Sequence, residues 1–556
     1  MGRVGADLGS QHALWRRRRT LPRPQDARHW PPRPRERLRR GAWRGHRRRR
    51  RGVEHSRRAQ RAAHFDASER NDASALRLGA ATMMRKYSTC RFARRLCAAP
   101  LGAVLLLAVA CQGSDDTGGG VGPPPPPTLD TQLRAQLSRW GVVPIGALTP
   151  ARPEVIDLGR ALFFDKELSG NRDVSCATCH SPLANTADAL SLSIGTGATG
   201  TGSARTLGAG RQFTPRNAPT LLNVALGFPY MFWDGRVSGF GGPPGNSGQA
   251  NFRTPAGAAL PVGLTNVVAA QAMFPVTNRN EMRGEVGDHD VFGNVNELAT
   301  PDTGQYAAIW SAAMKRVLAI NAYVAKFNAA FPGVPTSSLG FQHAANAIAA
   351  FEGAAFTFTN SPFDRYIARD DNAISTEAKQ GALLFFTKAR CSSCHFGPLF
   401  GGQSFSSAGV PQLGPGVAPN APLDFGEDLG FSGPQAQRFR FRVPPLRNVE
   451  LSPPYMHDGA FATLDAVVHH YNDIEKALRS YDVSQLDARI QPLYRGDDAT
   501  ITAILNSTEP FLRQPLGLSE VELHQLVVFL RSLTDPAARD LSGLVPASVP
   551  SGLPVR

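Results

Sequence analysis

Two short segments share one pattern: Cys176-Ala177-Thr178-Cys179-His180 and Cys391-Ser392-Ser393-Cys394-His395. Cys-x-x-Cys-His is the attachment signal of a c-type haem. The two thiols form thioethers with the haem vinyl groups, and the adjoining His binds the iron from one side. A two-residue gap places both sulfurs at the porphyrin edge, and the next residue turns beneath the metal. A zinc Cys-x-x-Cys would not need His directly after the second Cys in both copies. The pattern therefore predicts two covalent haems, with iron ligands His180 and His395.

The elements that must hold these groups read as helical. Ser519-x-x-Glu522 is a capping box, flanked by a Leu518/Leu523 staple. Leu523, Leu526, Val527, Leu530 and Leu533 continue it as one apolar stripe that stops before Pro536. Tyr306 to Phe327 and Phe341 to Phe356 also read as helices. Strong strand alternation is absent, and no short repeat is visible. Gly and Pro cluster at 193–215, 237–263 and 410–435, which predicts long loops. The expected fold is mainly α, with two cytochrome-c-like haem domains packed together, long irregular loops and little β.

The formal net charge of +16 is misleading. Residues 1–82 hold 23 Arg against 7 acidic residues and carry all of it. As a functional segment such a block would be a nucleic-acid arm. The residues directly after it argue otherwise: Met83-Met84-Arg85-Lys86, then Arg91, Arg94 and Arg95, then the apolar run Pro100 to Ala110, then Cys111. That is a secretory signal, and a signal works only at an N-terminus. Residues 1–82 are thus expected to be a mistranslated or disordered extension, with translation starting at Met83 or Met84. Ala108-Val109-Ala110-Cys111 resembles a lipobox in which Ala108 replaces the usual Leu. Cys111 would become a lipidated first residue, the protein's only membrane attachment, in the periplasm.

Beyond Cys111 the chain has 33 basic and 38 acidic residues. Nothing there suggests nucleic acid, and no segment is long and apolar enough to span a bilayer. The expected organisation is an extension at 1–82, a signal at 83–111 and a Gly/Pro linker at 112–128. A first haem domain at 129–340, a second at 341–540 and a tail at 541–556 complete it.

Around the haem motifs lie further blocks. Leu158-Gly159-Arg160-Ala161-Leu162-Phe163-Phe164-Asp165 precedes the first. Arg216-Asn217-Ala218-Pro219-Thr220, Phe232-Trp233-Asp234-Gly235-Arg236, Gln271-Ala272-Met273-Phe274-Pro275 and Asn278-Arg279-Asn280-Glu281-Met282 come after it. Pro445-Leu446-Arg447-Asn448 and Pro454-Tyr455-Met456-His457-Asp458-Gly459 come after the second. In this order, from about 150 to 535, the chain resembles the bacterial di-haem cytochrome c peroxidases and the related MauG-type enzymes.

The resemblance implies reduction of hydrogen peroxide to water, with electrons from a small cytochrome c or cupredoxin. It implies Met456 as sixth ligand of the second haem, where the MauG branch uses Tyr. It implies Glu281 as the distal acid–base residue, Gln271 beside it, and Trp233 between the haems. It implies Asn217 as a ligand of a calcium ion between the domains, and a homodimer as a frequent state. Arg216 and Arg447 are candidates for pairing with haem propionates. Many members carry a distal His after the first motif, yet residues 181–215 contain none. The first haem is therefore expected to be open, with His289 a solvated loop residue rather than a replacement ligand. Phe274 stands where Gly is usual, which predicts a narrower pocket. Insertions at 237–263 and 283–303 depart from compact peroxidases. Competing readings are a MauG-type oxidase of a protein or organic substrate, and a non-enzymatic electron carrier. His343, His457, His469, His470 and His524 are expected to be packing or surface residues.

Overall fold

The computed structural model describes residues 126–239, 252–416, 427–431 and 438–555. The Arg-rich extension, the signal segment and Cys111 lie outside them. Helices make up most of the regular structure of the described chain, and its strands are two or three residues long. The helices that matter for the site are α1 (Leu129–Arg139), α2 (Pro153–Phe164), α3 (Val267–Ala272), α4 (Tyr306–Leu318), α5 (Phe341–Ala355), α6 (Thr376–Phe386), α7 (Leu464–Asn472) and α8 (Glu520–Ser532). Among the described residues no helix is long and apolar enough to cross a membrane.

Two helix pairs organise the apolar cores. α2 packs on α5, and α6 packs on α8. Each crossing is made close by a glycine. A Cβ on Gly159 would lie 1.8 Å from the Ala347 carbonyl oxygen, and one on Gly381 would lie 1.9 Å from that of Gln525. Four residues further on, Phe163 meets Phe351 at 5.2 Å between ring centroids, and Phe385 meets Phe529 at 5.3 Å. Each pair leads into one Cys-x-x-Cys-His turn. A short repeat does exist, therefore: Gly-x-x-x-Phe-Phe at 159–164 and 381–386. It escapes notice because the spacing to the haem motif differs between the copies. Gly381→Ala should cost about 3 kcal/mol, the upper part of the usual overpacking range, because the obstacle is backbone. Thermal or urea unfolding of the haem-loaded protein reads this directly.

The larger cluster contains α2, α3, α4 and α5, and Cys176 packs against it. The second contains α1, α6 and α8, and Cys391 packs against it. This grouping does not divide the chain at residue 340. α5 sits with the first motif, because its apolar face is the partner of α2. α1 sits with the second, through buried Leu133 and Leu137. The segment beyond 540 is no loose tail. Leu541 and Val549 are buried in the first cluster, and Ser551 Oγ donates to the buried Asp165 at 2.6 Å.

The capping box forms as expected, with Ser519 N–H donating to Glu522 at 2.8 Å and Glu522 N–H to Ser519 Oγ at 3.3 Å. The helix expected over 306–327 is instead two helices, broken after Leu318. The second, Asn321–Ala330, turns so that Tyr323 donates its hydroxyl to Asp165 at 2.7 Å. The insertion at 283–303 is tied down by buried polar contacts. Arg172 pairs with Asp290 and Glu167, Arg211 with Asp288, and Asn296 donates to Asn171.

Candidate active site

Both haem motifs fold into the same turn. The His180 N–H donates to the Cys176 carbonyl at 2.9 Å, and His395 N–H to that of Cys391 at 2.9 Å. Each imidazole then leans on a second carbonyl. His180 Nδ1 lies 3.2 Å from Thr186 O, and His395 Nδ1 lies 2.8 Å from Phe400 O. A carbonyl can only accept, so Nδ1 holds the proton and Nε2 keeps a free lone pair for a metal. Burial lowers the pKa of both rings, that of His395 to about 4. Neutral imidazole is the form that ligates. Burial also pushes the thiols up, Cys176 and Cys391 to about 12.

The surroundings fit a haem. Beyond the apolar clusters, one buried guanidinium keeps donors without acceptors and another has no carboxylate partner among the described residues. Arg447 Nη1 lies 2.7 Å from Asp364 at a poor hydrogen-bond angle, and neither Nη1 nor Nη2 finds an acceptor. Arg442 is buried, and among the described residues it has no carboxylate within ion-pair reach. Burial alone lowers its pKa to about 10. Both suit propionates. Arg216 differs, because Asp428 already holds it bidentately at 2.5 and 2.9 Å and Asp234 lies at 2.6 Å. Arg442 escaped the sequence reading because only folding reveals a buried cation without a carboxylate, its Nε donating to the Phe232 carbonyl at 3.1 Å.

Glu281 sits on a π-helical turn, Arg279–Arg283, a form that recurs at functional sites. The Asn278 side chain caps the turn, accepting from the N–H groups of Asn280 and Glu281, while its amide donates to Glu281 Oε1 at 3.0 Å. Gly195 packs so closely that a Cβ would lie 2.1 Å from the Asn280 carbonyl oxygen. Burial raises the Glu281 pKa above the usual carboxylate range, against the opposing charge of Arg236. Arg236 Nη2 lies 4.0 Å from Glu281 and its Nη1 lies 3.0 Å from Asp234. Asp234 in turn pairs with Arg216, so a chain of alternating charge runs from Asp428 to Glu281. Asp234, Arg236 and Asp428 are site residues whose roles the sequence reading missed. The Trp-Asp-Gly-Arg block was visible, but not what its charges face. Glu281 also lies near enough to Cys179 to add to the rise of that thiol.

Trp233 is buried where the two halves meet. Its indole donates to Asn217 O at 2.9 Å, its own carbonyl accepts from Arg442 N–H at 2.8 Å, and the Arg442 guanidinium lies 5.8 Å over the ring. Asn217 binds across the same seam, with its N–H on His457 O and its amide on Leu190 O. Among the described residues no group of three or more His, Cys, Asp or Glu is arranged to hold a metal ion. A calcium at Asn217 would thus rest on its Oδ1, backbone carbonyls and water.

Gln271 is half-buried at the end of α3. Phe274 packs edge-on against Tyr306 and Trp310 at 5.8 and 6.0 Å, in the core beneath α4. Met456 is partly buried with φ at +76°, a strained setting for a side chain of its size. Its neighbour Tyr455 packs, like Cys391, against the second cluster. His289 is exposed on a bridge to Val295. His457 stacks on Phe441 at 3.5 Å, and His343, His469, His470 and His524 bond to nearby backbone or surface carboxylates.

Residues 153–372 match the family model of the di-haem cytochrome c peroxidases. The methylamine utilization protein MauG of Methylorubrum extorquens is 29% identical over 74% of this chain and 87% of its own. The cytochrome c551 peroxidase of Pseudomonas aeruginosa is 30% identical over 62% of this chain and 80% of its own. A solved structure of a MauG-like protein associated with microbial copper homeostasis aligns with a TM-score of 0.48 at 23% identity, covering 71% of this chain and 95% of that one.

Proposed function

The chain belongs to the di-haem cytochrome c peroxidase and MauG family, and we propose that within it this protein reduces hydrogen peroxide to water in the periplasm. The donor is a small cytochrome c or cupredoxin, and lipidated Cys111 is the anchor. Two electrons and two protons convert one peroxide into two waters. Haem at each motif supplies iron that binds peroxide and holds electrons.

The chain's own residues divide the remaining work. His180 would hold the first iron, and residues 181–215 contain no His that could be a second ligand. Glu281 takes the proton from the near peroxide oxygen and delivers it to the leaving one. Gln271 orients peroxide in the same pocket. Met456 together with His395 would hold the second iron, and a Met ligand there would raise its potential, which suits electron transfer. Trp233, at the seam, relays between the two. Asn217, with backbone carbonyls, holds a calcium ion there, and a homodimer is the working state.

The observation that carries this reading is Glu281. It is a carboxyl with a raised pKa, pinned on a π turn near enough to raise the Cys179 thiol, at the partly exposed end of a charge chain that starts at buried Asp428. An electron carrier has no use for it. The alternative is oxidation of a protein or organic substrate, since a MauG protein is among the relatives. Met456 in place of Tyr argues against that branch.

Steady-state peroxide turnover with a reduced cytochrome c decides. Fully oxidised enzyme should turn over as fast as enzyme pre-reduced at one haem. Turnover only after pre-reduction would show that a sixth ligand closes the first iron. No turnover from either form would reject the peroxidase and shift the assignment to the oxidase.

A further inference from the structure

The shared helix pair lets positions in the two halves be compared directly. Gly159 abuts the Ala347 carbonyl and Phe351 Cβ, and Gly381 abuts the Gln525 carbonyl and Phe529 Cβ. Phe351 therefore corresponds to Phe529, and the next residue, Glu352, to Leu530. Leu530 is what this position demands of a haem core: an apolar side chain, 8% exposed, within the cluster against which Cys391 packs. Glu352 is 4% exposed, and its Oε2 has no hydrogen-bond partner. The architecture thus works with Leu, and only the first half carries an acid there.

Among the described residues no cation neutralises Glu352. On α2 the titratable side chains are Glu154, Asp157 and Arg160. They meet Arg152, Lys326 and the Leu544 carbonyl respectively. α3 has no titratable residue. On α4, Arg316 is spent on Glu297 and Glu167, Lys315 is exposed, and Tyr306 stacks on Trp310. Glu352 lies near enough to Cys176 to add, after burial, to the rise of that thiol. Once a thioether, that sulfur no longer titrates. Burial alone raises the Glu352 pKa to about 8.

We propose that Glu352 is the proton partner of the first haem's electron, taking up a proton when that iron is reduced and releasing it on reoxidation. The electron comes from the reduced second haem or from the small redox protein. Iron passes from ferric to ferrous, one solvent proton adds to a carboxylate oxygen, and no other bond changes. The cause is electrostatic. In a poorly solvated interior a carboxylate is favoured by the extra positive charge of ferric iron and disfavoured when it is lost. The second haem, beside Leu530, lacks the device. Peroxide chemistry consumes protons with electrons, so a buried acid at the receiving haem keeps the two in step. The inference rests on haem attachment at the first motif and not on the peroxidase reading.

The test is a spectroelectrochemical titration of the haem-loaded protein from about pH 6 to about pH 10, spanning this window. Wild type is compared with Glu352→Gln and Glu352→Leu. The wild-type potential of the first haem should fall as pH rises through the region near 8 and level off above it. Both variants should be flat there. A slope at lower pH should persist in all three, since Asp188, near Cys179, is raised to about 6. The second haem should be unaffected. A flat wild-type curve near 8, or an unchanged slope in the variants, overturns the proposal. If Glu352→Leu loads haem poorly, the nearly isosteric Glu352→Gln decides. Peroxide turnover is not the readout, so failure of the peroxidase reading would be seen separately.

Discussion

Glu281→Gln should lower kcat/KM for hydrogen peroxide by about 10²–10⁴-fold, the range of a positioned general acid–base group. Gln preserves volume and can still accept the Asn278 amide, so the π turn should survive. What disappears is the ability to take and return a proton. Haem content, both potentials and the unfolding midpoint should stay near wild type, which separates a proton-transfer defect from a folding one. The pH profile adds a sharper signature. Burial is the largest influence on Glu281 and raises its pKa, while Arg236 opposes it. A base works only when ionised, so activity should rise with pH through the Glu281 pKa. Arg236→Gln removes the principal cation that lowers that pKa. The acid limb should therefore move to higher pH in that variant, and vanish in Glu281→Gln. A limb that moves to lower pH in Arg236→Gln would mean that another group sets it.

Met456→Leu should abolish rapid turnover with a protein electron donor and drop the potential of the second haem. The expected drop is at least ~100 mV, a fraction of the roughly 0.8 V over which axial ligands set haem potentials. Leu fills nearly the same volume, so a packing role would tolerate it at under ~1.5 kcal/mol. Met273 supplies the control. It is fully buried in the first core, and Met273→Leu should leave both potentials unchanged. Equal behaviour of the two variants would reduce Met456 to packing. The left-handed backbone at Met456 supports the ligand role, because strain of that kind persists where surrounding structure over-determines a side chain's direction.

The haem turns were legible before any fold was known, because thioether attachment is a local matter: five consecutive residues carry both thiols and the imidazole. The capping box at Ser519 was legible for the same reason. So was the order of blocks that placed Glu281, Trp233 and Met456 in a known family. Burial and pairing were not legible, since they depend on what the rest of the chain brings alongside. Arg216 and Arg447 read alike as lone cations, yet folding gives Arg216 two aspartates and leaves two Arg447 nitrogens without acceptors. Arg442 drew no attention until it was seen stripped of carboxylates. The insertion at 283–303 read as a loop, and its stiffness comes from Arg172, Arg211 and Asn171, more than 70 residues away. The helix at 129–139 and the segment beyond 540 each join the core farther from them in sequence, because an amphipathic face specifies that it must be covered but not by what. Glu352 makes the same point most sharply. Within its helix it is one acid among alanines, and only the crossing at Gly159 shows that it occupies the place where the other half keeps a leucine.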